Sequence, residues 1–118
     1  MKPLVPKRYG KAGPEKKIQD AVESYLRVRE WLVKHIHGNA YQAGWPDLWA
    51  SHSKYGHRWV EIKLPGMVGS QFTPSQLDWF PKLCANGSGV WVLTGALDSE
   101  YLKLWKPPNW WVYTGVMK

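Results

Sequence analysis

The sequence has little cysteine, no long apolar run and few acidic residues, and each shortage excludes a class of protein. Cys84 is the single cysteine, so no internal disulfide can form and we expect a reducing, cytoplasmic compartment. No apolar run is long enough to cross a bilayer, and the N-terminal residues lack the apolar stretch of a signal peptide. One cysteine and four histidines give poor support for a structural zinc site.

Acidic residues are clearly outnumbered by basic ones. The 16 Lys and Arg against 9 Asp and Glu give a net charge of +7 over 118 residues. Such an excess favours a polyanionic partner, and nucleic acid is the usual one. The 9 tryptophans suit a core or a subunit interface, with a minority left to stack on exposed bases. Charge does not reveal chemistry, so a basic binding module without activity stays an alternative.

Hydrophobic periodicity predicts one α+β domain in the order helix, three strands, helix, strand and tail. Residues 1–13 form a predicted basic N-terminal arm, and residues 14–118 the domain, with 95–118 as a C-terminal extension. The first helix is predicted over 14–30 and a second from Thr73. Strands are predicted over 31–37, 47–50, 58–64, 90–94 and 110–114, and a short helix over 98–104.

The third strand and the residue that begins the second bring two carboxylates and a lysine together. Alternation directs Val60 and Ile62 to one face and Glu61 and Lys63 to the other. Thirteen residues separate Asp47 from Glu61, enough for a hairpin that returns the two carboxylates side by side. They could then hold Mg²⁺ or Mn²⁺, with the backbone carbonyl of Ile62 as a further oxygen ligand. Lys63 would face the phosphate or the attacking water.

Two flanking helices supply supporting polar residues. Thr73 is a good N-cap, Pro74 a good first helical residue, and Gln76 the matching capping-box residue. Gln76 therefore has a structural interpretation and a site interpretation, which are compatible. Glu15 is either a favourable charge at a helix N-terminus or a member of the site.

These residues, in this order, resemble the VRR-NUC (virus-type replication-repair nuclease) domains of the PD-(D/E)xK nuclease superfamily. The similarity runs from about Glu15 to Thr94. Its motifs are Glu15 with Gln19 one turn on, Gly44-Trp45-Pro46-Asp47, Glu61-Ile62-Lys63 and Thr73-Pro74-Ser75-Gln76. Trp45 departs from the small aliphatic residue that often precedes the proline, and its ring could line a DNA channel or pack.

The resemblance implies a restriction-endonuclease-like αβββαβ core, with a central mixed sheet flanked by helices. It also implies that the domain cleaves DNA with Mg²⁺ as its cofactor, and we expect that Mn²⁺ can substitute. The implied catalytic residues are Glu15, Asp47, Glu61, Lys63 and Gln76, and the implied metal ligands are Asp47, Glu61 and the Ile62 carbonyl. Small stand-alone relatives, often viral or bacterial, are similar to Holliday-junction resolvases. We therefore expect branched DNA, a homodimer with 95–118 at its interface, and a bacterial or virus-infected host cytoplasm.

Contacts to DNA are expected from basic, histidine and aromatic side chains around this core. His35 and His37 share a strand face, but no histidine on a following helix completes an HNH motif, so phosphate contact or a sheet edge is favoured. The candidate DNA-binding residues are Lys7, Arg8, Lys11, Lys16, His37 and Trp45.

Overall fold

A four-stranded mixed sheet forms the centre of the structure, a computed structural model that describes residues 13–36, 43–66 and 72–114. The strands are β1 (Leu32–His35), β2 (Leu48–His52), β3 (Gly56–Ile62) and β4 (Val90–Leu93), in the order β1-β2-β3-β4. β1, β2 and β3 pair antiparallel, and β4 lies parallel to β3. The sequence prediction of an αβββαβ core with a mixed sheet is confirmed.

The helices pack against this sheet or follow it in the chain. α1 (Gly13–Val28) precedes β1, and α2 (Pro74–Ala85) makes the crossover that parallel pairing of β3 and β4 requires. After β4 come the short α3 (Asp98–Tyr101), a 3₁₀ turn (Leu102–Trp105) and α4 (Trp110–Thr114). In the described ranges, no helix is both long and apolar enough to span a membrane.

Two clusters of buried side chains flank the sheet, and alternate residues of β3 separate them. Val60 and Ile62 belong to the first cluster with Val22 and Leu26 of α1, whereas Trp59 packs on the second. The first comprises Val22, Leu26, Trp31, Val33, Leu48, Ala50, Val60, Ile62, Trp91, Leu93 and Leu104, and the second Phe72, Phe80, Leu83, Val90, Val92 and Trp110. We refer to the α1 face and the α2 face of the sheet accordingly.

The predicted last strand over 110–114 is wrong, because these residues form α4. Aromatic and β-branched residues favour a strand here, but Asn109 already occupies the open edge of β4. Its side-chain Oδ1 accepts from the Val92 amide at 2.7 Å, and its Nδ2 donates to the Val92 carbonyl at 3.1 Å. This side chain takes the bonds that a fifth strand would make, and Trp110 turns into the α2-face cluster.

Candidate active site

Asp47 lies where β2 begins and is bound on both sides by neighbouring backbone. Its Oδ2 accepts from the Ile62 amide at 2.7 Å, and its carbonyl accepts from the Ile36 amide at 2.9 Å. Leu48 pairs with Val60, so one step further along the same register places Asp47 opposite Glu61. Directly opposed residues share a face of the sheet, so the two carboxylates stand together on the α2 face as predicted.

Glu61, Lys63 and Gln76 form one hydrogen-bonded cluster under the start of α2. Gln76 Nε2 donates to Glu61 Oε2 at 3.0 Å, and Lys63 Nζ donates to Gln76 Oε1 at 3.1 Å. Lys63 Nζ also lies 3.4 Å from Glu61 Oε2, and 4.6 Å from the centre of the Phe72 ring. The structure therefore brings together three of the predicted catalytic side chains beside Asp47.

Gln76 fills its capping role and its site position at once. The Thr73 side chain accepts from the Gln76 amide at 3.1 Å, and Gln76 Oε1 accepts from the Thr73 amide at 3.1 Å. A carboxylate only accepts, so Glu61 requires the donor side of the Gln76 amide group, and Oε1 then faces Lys63 and Thr73. The capping box thus fixes which amide atom each charged group meets.

Burial makes this cluster electrostatically demanding. Glu61 is 0% exposed, Lys63 4% and Gln76 8%. A buried carboxylate is costly unless it is paired and hydrogen-bonded, and here an ammonium and an amide supply both. The charges are held in place before any ligand arrives, which is the arrangement that electrostatic catalysis requires.

Comparison with known proteins places this architecture among nuclease-like folds. No protein-family model matches the sequence, and no curated protein matches it significantly. A solved structure described as a VRR_NUC domain superposes with a TM-score of 0.61, covering 72% of this chain and 88% of that chain at 21% identity. The chain has the fold of a VRR_NUC domain. This confirms the family resemblance at the level of fold.

Within the VRR_NUC fold, the donor set at Asp47 and Glu61 fits a hard divalent cation. Carboxylate and carbonyl oxygens are the ligands that Mg²⁺ prefers, and here one carboxylate immediately precedes β2 and the other lies on β3. Across the described ranges, no three Asp, Glu, His or Cys side chains form a group that could hold a metal ion. Any site here therefore needs the Ile62 carbonyl or water beside two carboxylates, and Glu15 does not complete a set of three.

The loop before Asp47 packs tightly on the start of α2. Gly44 has a φ of 91°, and a Cβ there would lie 2.7 Å from both the Ser75 carbonyl oxygen and the Trp79 ring. Trp45 lies half-buried, with its ring centre 5.2 Å from that of Trp59 and 5.4 Å from that of Trp79. The ring of Trp45 thus packs, and its contact with DNA stays a prediction. Gly44 positions the loop that carries Asp47.

A polar chain on α1 was not anticipated from the sequence. Gln19 is buried, and its Nε2 lies 2.9 Å from His35 Nδ1. His35 Nε2 contacts the Glu23 carboxylate, which also accepts from Arg27. Glu23 is therefore not a solvated surface charge, because its carboxylate lies between His35 and Arg27. The i,i+4 spacing of Gln19 and Glu23 beside a strand histidine is the signal that could have found it.

The remaining predicted residues divide into described and undescribed ones. Glu15 lies half-buried in the first turn of α1, and its catalytic role stays a prediction. Lys16 is exposed and forms an ion pair with Asp20 one turn along the helix. The predicted DNA contacts Lys7, Arg8, Lys11 and His37 lie outside the described residues.

Proposed function

We propose that this chain is a metal-dependent endonuclease that hydrolyses phosphodiester bonds in DNA. The observation that carries the proposal is the buried cluster of Glu61, Lys63 and Gln76 beside Asp47. Burying a carboxylate and an ammonium costs free energy of desolvation. A pair of hydrophobic side chains in their place would often leave the protein equally stable or more stable. A catalytic role explains why charge is kept there, and the VRR_NUC fold supports the same reading.

The side chains divide the work by chemistry. Asp47, Glu61 and the Ile62 carbonyl would hold Mg²⁺, for which Mn²⁺ can substitute. A bound divalent cation polarises the phosphate and makes water a stronger nucleophile. Lys63 places positive charge beside the phosphate oxygens or orients the nucleophile. Gln76 fixes the positions of the Lys63 and Glu61 side chains by hydrogen bonds to both.

Branched DNA is the substrate that we propose, in replication, recombination or repair. A chain of 118 residues with a charge of +7 has ample phosphate-binding potential but little surface for reading sequence. We therefore propose that the protein recognises the shape of DNA and not its sequence, and that a four-way junction is the preferred substrate. Two symmetric cuts favour a homodimer, with 95–118 at its interface. The described part of that segment exposes Leu97, Leu102 and Val112.

A cleavage panel tests the proposal. Purified protein is mixed with labelled four-way junctions, flaps and duplexes in Mg²⁺, Mn²⁺ or a chelator, and the products are mapped. We expect cleavage only with a metal ion, and light scattering that gives a dimeric mass. Asp47→Ala should weaken Mg²⁺ binding in calorimetry. Protein that binds these DNAs but cuts none of them would instead be the non-catalytic basic module.

A further inference from the structure

A hollow lined by aromatic rings lies at the other end of the β2–β3 hairpin. The paired residues run from Leu48 and Val60 to His52 and Gly56, so His52 lies five residues from Asp47. At about 3.3 Å per residue this separation is roughly 17 Å. His52 alternates with Leu48 and Ala50 along β2, so it faces the α1 side of the sheet, opposite to Glu61. We propose that this hollow binds an unpaired base of single-stranded nucleic acid.

The rings form a platform in which one ring is buried and two are partly exposed to solvent. Trp31 is the floor, at 4% exposed, and the Tyr55 ring lies nearly parallel to it, with 6.1 Å between centres and an angle of 11°. Trp105 meets Tyr55 edge-on at 4.7 Å. Tyr55 is 42% exposed and Trp105 38%, so both rings still offer surface to a ligand. Exposed aromatic faces on a basic protein suit base stacking, which works with any base.

Arg58 holds the platform in shape. Its guanidinium donates to the Tyr55 carbonyl at 3.0 Å and to the Leu104 carbonyl at 2.9 Å. The same group lies 4.6 Å from the centre of the Trp91 ring. The hairpin turn and the 3₁₀ turn are therefore joined, so little ordering of Tyr55 and Trp105 is needed when a base binds.

The charge and size of the hollow favour a nucleotide over an apolar peptide. Arg29 and Lys54 line it against a single carboxylate, Glu30, and Lys54 Nζ lies 5.4 Å from the centre of the Tyr55 ring. The volume is about 430 Å³, at the lower end of the range of roughly 300–1,000 Å³ for small-ligand pockets. One base with its phosphate matches that volume, the flat rings and the positive rim.

Binding at this hollow does not depend on cleavage, so it can be tested without a metal ion. Fluorescence anisotropy of a labelled oligothymidine is measured with the full chain in a chelator. Tyr55→Ala should weaken binding roughly 5- to 160-fold, the range for loss of one stacked base. Tyr55→Phe keeps the ring and should bind like the wild type. Leu32→Ala removes an exposed apolar side chain that neither lines the hollow nor lies in segment 95–118, and should change nothing.

A strand with abasic sites separates stacking from phosphate contact. The wild type should bind it more weakly than oligothymidine, and Tyr55→Ala should cause no further loss. Trp105→Leu, which keeps apolar packing on Trp31, provides a second variant if Tyr55→Ala melts early. The proposal is overturned if both variants bind oligothymidine like the wild type, or if they lose equal affinity for both strands. A dimer that becomes a monomer in Tyr55→Ala, with affinity unchanged, would assign the surface to a second copy of the chain.

Discussion

The two ends of the β2–β3 hairpin carry opposite kinds of surface. At the open end, Glu61 and Lys63 are buried and fixed by hydrogen bonds beside Asp47. At the turn end, the rings of Tyr55 and Trp105 are partly exposed, and charged side chains surround the hollow that they line. Buried charges suit a reaction because their field is strong, whereas open rings suit affinity because they offer area. We infer that rate depends on the open end and affinity for unpaired DNA on the turn end.

The largest expected effect separates the two roles of Gln76. Gln76→Ala removes its bonds to Glu61, Lys63 and the Thr73 amide, and leaves a buried carboxylate poorly solvated. We expect a loss of about 3 kcal/mol in the free energy of unfolding and a fall in cleavage rate of at least about 10²-fold. Denaturant unfolding and single-turnover cleavage measure the two quantities.

Thr73→Ala is the matched control for Gln76. It removes the side-chain cap but keeps the glutamine, so it should cost about 1 kcal/mol of stability with near-normal cleavage. If Thr73→Ala slowed cleavage as much as Gln76→Ala, Gln76 would act only as a cap.

The next prediction is a difference in stability between glycine substitutions at the two ends, which leaves the charged cluster intact. Gly44 and Gly56 both have positive φ, 91° and 83°, and Ala at either should cost about 1–2 kcal/mol through backbone strain. Only at Gly44 would a Cβ also meet the Ser75 carbonyl, at 2.7 Å, whereas nothing lies within 4 Å at Gly56. We expect Gly44→Ala to cost about 1–3 kcal/mol more in denaturant unfolding. Equal costs would mean that the loop does not depend on that close approach.

The smallest effect concerns a further carboxylate near the open end, Glu100, which accepts from the Thr94 amide just after β4. Burial alone would raise the pKa of Glu100, but bonds from Lys103 and the Thr94 amide outweigh it and lower the pKa. Ionised Glu100 therefore stabilises the fold above its unfolded-state pKa, and this stabilisation is lost as pH falls through the folded-state pKa. Glu100→Gln should lower the melting temperature slightly near neutral pH. A difference in melting temperature between Glu100→Gln and the wild type that persisted at acidic pH would contradict this.

Much of the fold followed from local pattern. The periodicity of 14–30, the capping box at Thr73 and Gln76, and the alternation around Glu61 each reflect forces within a few residues. The spacing between Asp47 and Glu61 predicted a hairpin that brings the two residues side by side, and the observed strand register confirms that pairing. Sequence patterns were therefore sufficient for features that depend only on residues close together in the chain.

The features that were missed depend on contacts between distant elements. Trp110–Thr114 has strand-like composition, but the Asn109 side chain closes the edge of β4, and no local rule reveals that. The polar contacts of Gln19 and Glu23 with His35 depend on how α1 packs against β1. The aromatic hollow likewise joins a hairpin turn to a 3₁₀ turn that lies far along the chain.

Single-turnover cleavage of a labelled four-way junction by Lys63→Met tests the central claim most directly. Methionine keeps the apolar stem of Lys63 but removes the ammonium that lies 3.4 Å from Glu61 Oε2. At saturating protein, with Mg²⁺ and below the melting temperature of the variant, we predict a rate at least about 10²-fold below that of the wild type. Affinity for oligothymidine should not change. Cleavage at the wild-type rate would contradict the account, because the chemistry would then lie outside the open end.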